Sequence, residues 1–146
     1  MRTLWHAQHI VSAMKYLLLF LLMVVAAVCS YGTTITVTNT SDSGTGSLRN
    51  AIASATDGDH IRFDAALIAS GSATITLNSE IAFSTGLTIT GLFNATDTLY
   101  VSGGNSNRVF YASLAGAAQP VLVLDSLVMI EGSVTGAGGG LLLTNA

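Results

Sequence analysis

The sequence predicts an all-β fold, a parallel β-helix of stacked coils with one short helix ahead of them. Three observations predict it. Beyond residue 32 the chain is a series of short β-branched runs broken by Gly, Asn, Asp and Ser. Apolar alternations recur along it every 23 to 24 residues. A single amphipathic stripe, in "SLRNAI" at 47–52, precedes those repeats.

The first 32 residues stand apart. "YLLLFLLMVVAAV", 16–28, carries no charge and is shorter than the roughly 20 residues a membrane-spanning helix needs. It matches the apolar core of a secretory signal, with small residues at Ser30 and Gly32 for cleavage. The mature chain is expected to begin between Tyr31 and Thr34, with no membrane insertion afterwards. A lipoprotein signal would need Cys29 as the acylated residue, and Val28 before it fits that poorly. The long lead also allows translation to begin at Met14, in "MKYLLLF".

Without that leader, three arginines (Arg49, Arg62 and Arg108) face eight carboxylates, a net charge of −5. Phosphate neutralisation needs clustered Lys and Arg, so nucleic acid and anionic membrane are not expected partners. The single cysteine, Cys29, leaves with the leader or sits at its edge, so no disulfide is expected.

Eight strands are then expected: 34–38, 60–63, 74–77, 87–90, 98–101, 108–112, 121–124 and 127–130. Ile75 and Leu77 lead by 24 to Leu99 and Val101, and by 23 more to Leu122 and Leu124. Leu87 and Ile89 lead by 23 to Phe110 and Ala112. Such a period is too short for a βαβ unit and suits one coil of a solenoid, about 4.8 Å per coil. "SGGNSN" (102–107) and "TGAGGG" (135–140) are expected to be corners. The rival is an antiparallel sandwich, and the repeated spacing favours the solenoid.

The helix is predicted from Leu48, Ala51, Ile52 and Ala55, at i, i+3, i+4 and i+7. Ser47 is the expected N-cap and Gly58 the left-handed residue past its end. Two turns are not stable alone. A solenoid's first coil has an open edge that must be covered, so the helix is expected to be a lid over the Ile61 and Phe63 strand. Off the stripe, Arg49→Ala and Asn50→Ala are expected to be mild.

"VTNTSDSGTGSLRNAIASATDGDHIRFD", 37–64, resembles the opening of exported bacterial right-handed parallel β-helix proteins. These are adhesin-like or similar to polymorphic outer-membrane-protein repeats. The matching residues are Asp42, Gly44, Gly46, Ser47, Leu48, Arg49, Ala51, Ile52, Gly58, Asp59, Ile61 and Phe63. The resemblance covers most of 33–146. It implies a non-enzymatic secreted or cell-surface module, adhesin-like or structural, meeting carbohydrate or protein at a cell surface. The chain stops in what reads as the start of another coil, so further coils are expected downstream.

Chemistry is sparse. Asp97 and Asp125 lie 28 apart, a spacing that would set them on neighbouring coils as in a β-helix polysaccharide lyase or glycoside hydrolase, the alternative reading. Both border corner residues, so solvated turn carboxylates are expected. Asp57 and Asp59 flank Gly58 in a turn, without the Glu or flanking helices of a calcium loop. Asp59 is expected to shape the turn into the next strand. His60 is the sole histidine beyond the leader, which argues against zinc. Alternation puts His60 and Arg62 outward, opposite Ile61 and Phe63. Arg49 is expected to pair with Asp42 or its turn. "GAGGG" lacks the Lys of a phosphate-binding loop. "NTS" (39–41) and "NAT" (94–96) fit a glycosylation acceptor, idle in a bacterial chain. No catalytic, cofactor or metal residue is expected.

Overall fold

A computed structural model describes residues 15–16, 32–114 and 120–144. The secretory-signal reading of 1–32 lies outside the described residues, apart from Gly32 and the helical pair Lys15–Tyr16. Cys29, Met14 and the cleavage region before Gly32 lie outside them too. Among the described residues no helix is long and apolar enough to cross a membrane.

The unit beyond residue 30 is a β-solenoid of about four turns. Strand β1 (Thr34–Val37) is followed by helix α1 (Leu48–Ser54). The second coil holds β2 (Asp59–Phe63), a 3₁₀ turn (Ala65–Ile68), β3 (Ala73–Thr76) and β4 (Ile81–Phe83). The third holds β5 (Leu87–Thr90), β6 (Leu99–Ser102) and β7 (Phe110–Ser113). The fourth holds β8 (Val123–Asp125), β9 (Val128–Ile130) and β10 (Leu141–Thr144). All three sheets are parallel, in the orders β1-β2-β5-β8, β3-β6-β9 and β4-β7-β10. The eight expected strands are all present, shifted at their ends by up to two residues. The two short strands β4 and β10 escaped the sequence reading.

Most strands alternate, and in β2 to β7 the large aliphatic members point inward, whereas Val123, Val128 and Leu143 of the fourth coil are exposed. Ile35, Ile61, Ile89 and Leu124 share one rung position in the first sheet. Ile75, Val101 and Met129 share another in the second. Ile81, Phe110 and Leu141 share a third. The middle coils close this core completely: Ile61, Ile89, Val101 and Phe110 are fully buried. Leu124, Met129 and Leu141, one coil further, are only part-buried.

The register corrects the 23 to 24 residue period. The steps run from Ile35 to Ile61, Ile89 and Leu124, that is 26, 28 and then 35 residues. Ile75 stacks on Val101, not on Leu99, and Leu124 belongs to a different sheet. Ile89 and Ala112 also lie in different sheets. The reason is that the corners differ in length far more than the strands, which run from three to five residues. Leu92–Thr98 is an excursion closed by the Leu99 N–H donating to the Leu92 carbonyl, 2.9 Å.

The helix stands where the first coil would place its second and third strands. Ser47 caps it: its Oγ accepts from the Asn50 N–H at 3.2 Å. Leu48, Ala51 and Ile52 are buried in the common core cluster. The helix packs chiefly against β1 and β4, and not chiefly over β2, because β1 is the edge of that sheet and lies between them. Leu48 and Ile52 still share one core cluster with Ile61 and Phe63. It ends at Ser54, with Ala55 extended and its N–H on the Ile52 carbonyl. Gly58 does have a left-handed φ of 89°, but it shapes the turn into β2 instead of ending the helix.

Candidate functional site

Two of the three arginines beyond the leader, Arg49 and Arg108, meet acidic partners at the corner between the second and third sheets. Arg49 Nη2 lies 2.7 Å from Asp42 Oδ1, and Arg49 Nε donates to the Asp42 carbonyl. The same guanidinium donates to the carbonyls of Ser79 (2.8 Å) and Glu80 (3.0 Å) on the next coil. Glu80 then accepts from Arg108 Nη1 at 2.8 Å. Arg108 donates on to the carbonyls of Gly138 (2.9 Å) and Ala137 (3.1 Å) in the fourth coil. One line of charge-assisted bonds thus ties all four coils, and such bonds are about twice as strong as neutral ones. Burial alone would raise the Asp42 carboxyl. The Arg49 bond and the Asn78 N–H outweigh it and hold its pKa below the usual carboxylate range.

Arg49 is therefore no idle surface residue, and the mild effect expected from the sequence is corrected. Arg49→Ala removes four hydrogen bonds, two of them to the neighbouring coil. A loss of about 2 kcal/mol is expected, the scale of charged hydrogen bonds. A urea melt checks it, with Asn50→Ala, an exposed position, as the mild comparison. Equal midpoints for the two variants would refute the bracing role.

"TDGDH" is a second brace. Asp57 accepts from the Gly86 N–H at 2.7 Å, one coil on. Asp59 is buried, and its carboxylate takes four donors. They are the Thr56 N–H (2.7 Å), the Thr33 N–H (2.6 Å), the Thr33 hydroxyl (3.0 Å) and the Thr56 hydroxyl (3.1 Å). The Thr56 and Thr33 backbone bonds come first among the causes that pull its pKa from 3.8 to about 2. The expected turn-shaping role of Asp59 is what the structure shows.

This brace sets a pH dependence. The ionised form is favoured in the folded state, so its contribution is full above the unfolded pKa of 3.8. It is lost as pH falls through about 2. The denaturation midpoint should therefore drop between about pH 4 and pH 2, and Asp59→Asn should flatten that drop. An unchanged wild-type midpoint from pH 6 to pH 2.5 would contradict the geometry.

Asp97 and Asp125 are not brought together as coil neighbours. Asp125 ends β8 and its rung partner is Thr90, whereas Asp97 sits in the Leu92–Thr98 excursion. The 28 residues between them run through β6 and β7, from the corner before the second sheet to the end of a first-sheet strand, so the spacing joins unlike positions of the coil. Asp97 accepts from the Thr96 hydroxyl and Asp125 from the Ser126 hydroxyl. Among the described residues, no group of three or more His, Cys, Asp or Glu could hold a metal ion. "GAGGG" is a corner, with Gly136 and Gly138 in left-handed conformations. An open cleft of about 250 Å³ beside α1 has one charged lining residue, Arg49, already engaged as above.

The outer face of the first sheet is different in kind. Outward positions, rung by rung, are Thr34, His60, Thr88 and Val123 in one column and Thr36, Arg62, Thr90 and Asp125 in the other. The predicted outward placement of His60 and Arg62 holds. His60 Nε2 lies 2.8 Å from Thr90 Oγ1, and Arg62 Nε donates to His60 Nδ1 at 3.5 Å.

No protein-family model, curated protein or solved structure matches this chain. The class defined by the architecture is therefore the β-solenoid itself.

Proposed function

We propose that this chain is a secreted or cell-surface, non-enzymatic β-solenoid module, adhesin-like or structural. The observation that supports it is where the carboxylates go. Each of the eight accepts a hydrogen bond within the fold. Asp42, Asp57, Asp59, Glu80 and Glu131 thereby join one coil to another. Acidic groups in this chain act as fasteners, which is the task of a scaffold that presents outer sheet faces. The apolar leader supports export.

Fractionation of cells expressing the full chain tests the location. The product is expected outside the cytoplasm, lacking residues 1–32. Incubation with polygalacturonate or alginate is expected to release no unsaturated or reducing ends. Release that disappears on Asp97→Ala or Asp125→Ala, or a product retained in the cytoplasm, would overturn the reading.

A further inference from the structure

We infer that the outer face of the first sheet binds a carboxylated sugar unit of a glycan, with Arg62 as the carboxylate ligand. The inference rests on the surface-module reading and names the ligand of that surface. Its basis is charge complementarity on a regular lattice of hydroxyls.

Thr34, Thr36, His60, Arg62, Thr88 and Thr90 form a three-by-two outward array across three coils. Parallel pairing sets neighbouring rungs about 4.8 Å apart, and outward neighbours along a strand about 6.6 Å apart. Arg62 stands at the middle rung, flanked by Thr36 and Thr90. It is exposed, and among the described residues it bridges no carboxylate, whereas Arg49 and Arg108 each hold one. Among the described residues the sole hydrogen bond of its side chain uses Nε, to His60. Its two terminal nitrogens are left for a ligand, in the fork that matches a carboxylate.

The surroundings choose among anions. One cation on a chain of net charge −5 beyond the leader repels a dense polyphosphate or polysulfate. A sugar acid carries one carboxylate among many hydroxyls. The array offers one guanidinium among four Thr hydroxyls, which can both donate and accept, the Thr90 one already bonded to His60 Nε2. Asp125, on the fourth rung beside Thr90, bounds the cationic spot and disfavours a second negative charge there.

The test is calorimetric titration of the protein with an aldobiouronate, a neutral sugar joined to a single uronate, and with sialyllactose. The two arms separate a uronate from a sialylated glycan as the source of the carboxylate. Saturable binding in at least one arm is expected, with a carboxyl-reduced oligomer at least tenfold weaker. Arg62→Gln should lose about tenfold or more, and Arg62→Lys should retain part of it. Thermal melts of both variants should match the parent, since among the described residues the Arg62 side chain makes only one long bond. Binding in neither arm, equal binding of the neutral oligomer, or undiminished binding by Arg62→Gln would each overturn the inference. Adhesion of the whole protein to cells that persists in Arg62→Gln would overturn it too, while leaving the surface-module reading standing.

Discussion

Leu48→Asp is expected to unfold the solenoid or leave it associating through its first edge. Leu48 is fully buried in the core cluster, on a helix that packs against β1 and β4. Burying such a side chain stabilises by about 1.5–3 kcal/mol. The substitution forfeits that and places an unpaired carboxylate at a dry contact, which costs several kcal/mol more unless it stays neutral. Against a total of about 5–15 kcal/mol, little stability remains. Where the domain survives, β4 becomes an uncovered sheet edge, because among the described residues no first-coil strand pairs with it. Open edges invite pairing with another chain. Leu48→Ala is the graded companion. It should stay folded, lose about 2–5 kcal/mol and show more association by light scattering. A monomeric Leu48→Asp with an unchanged urea midpoint would mean that the helix is not a lid.

The helix was legible in the sequence because each of its signals is local. Ser47, the Leu48–Ala51–Ile52 stripe and the turn before them act within a few residues of one another. Strand positions were legible for the same reason, since alternation is a property of four consecutive residues. The pairing of strands was not. Thr/Ile/Val/Leu text matches itself at many offsets, and corners of unequal length remove any fixed period. β4 and β10 were missed because "IAF" is three residues long and "LLLT" lacks alternation.

The braces were half legible. Asp42 with Arg49 was expected from sequence proximity and is present. Arg49 to Glu80 and Glu80 to Arg108 span 31 and 28 residues. Those spacings become meaningful only once the coil length of the register is known. A chain with so few charges did carry the signal: its arginines and acids recur about one true coil apart. The outward His60 and Arg62 followed from alternation alone, but their four Thr neighbours come from other coils and required the register.

Gly91→Ala is the second substitution expected to be severe, and it tests that register. Gly91 follows β5 and lies on the backbone of the fourth coil. Its N–H donates to the Asp125 carbonyl at 2.8 Å. A Cβ there would run into the Ser126 carbonyl and come 2.8 Å from the Leu127 Cα. Neither is the movable end of a side chain. The coils must part or the corner must shift, and overpacking of this kind costs about 1–3 kcal/mol, sometimes more. Since the rung below Thr90 is Asp125, the strain falls directly on the β5–β8 pairing. Gly140→Ala is the comparison, because a Cβ at that position meets only the Met129 Cε at 3.9 Å. It should be neutral, or stabilise by about 0.4–1 kcal/mol by restricting the unfolded chain. Paired urea melts decide the matter. A Gly91→Ala midpoint no lower than that of Gly140→Ala would mean that Gly91 does not lie against Ser126, and the stacking of the third coil on the fourth would have to be redrawn.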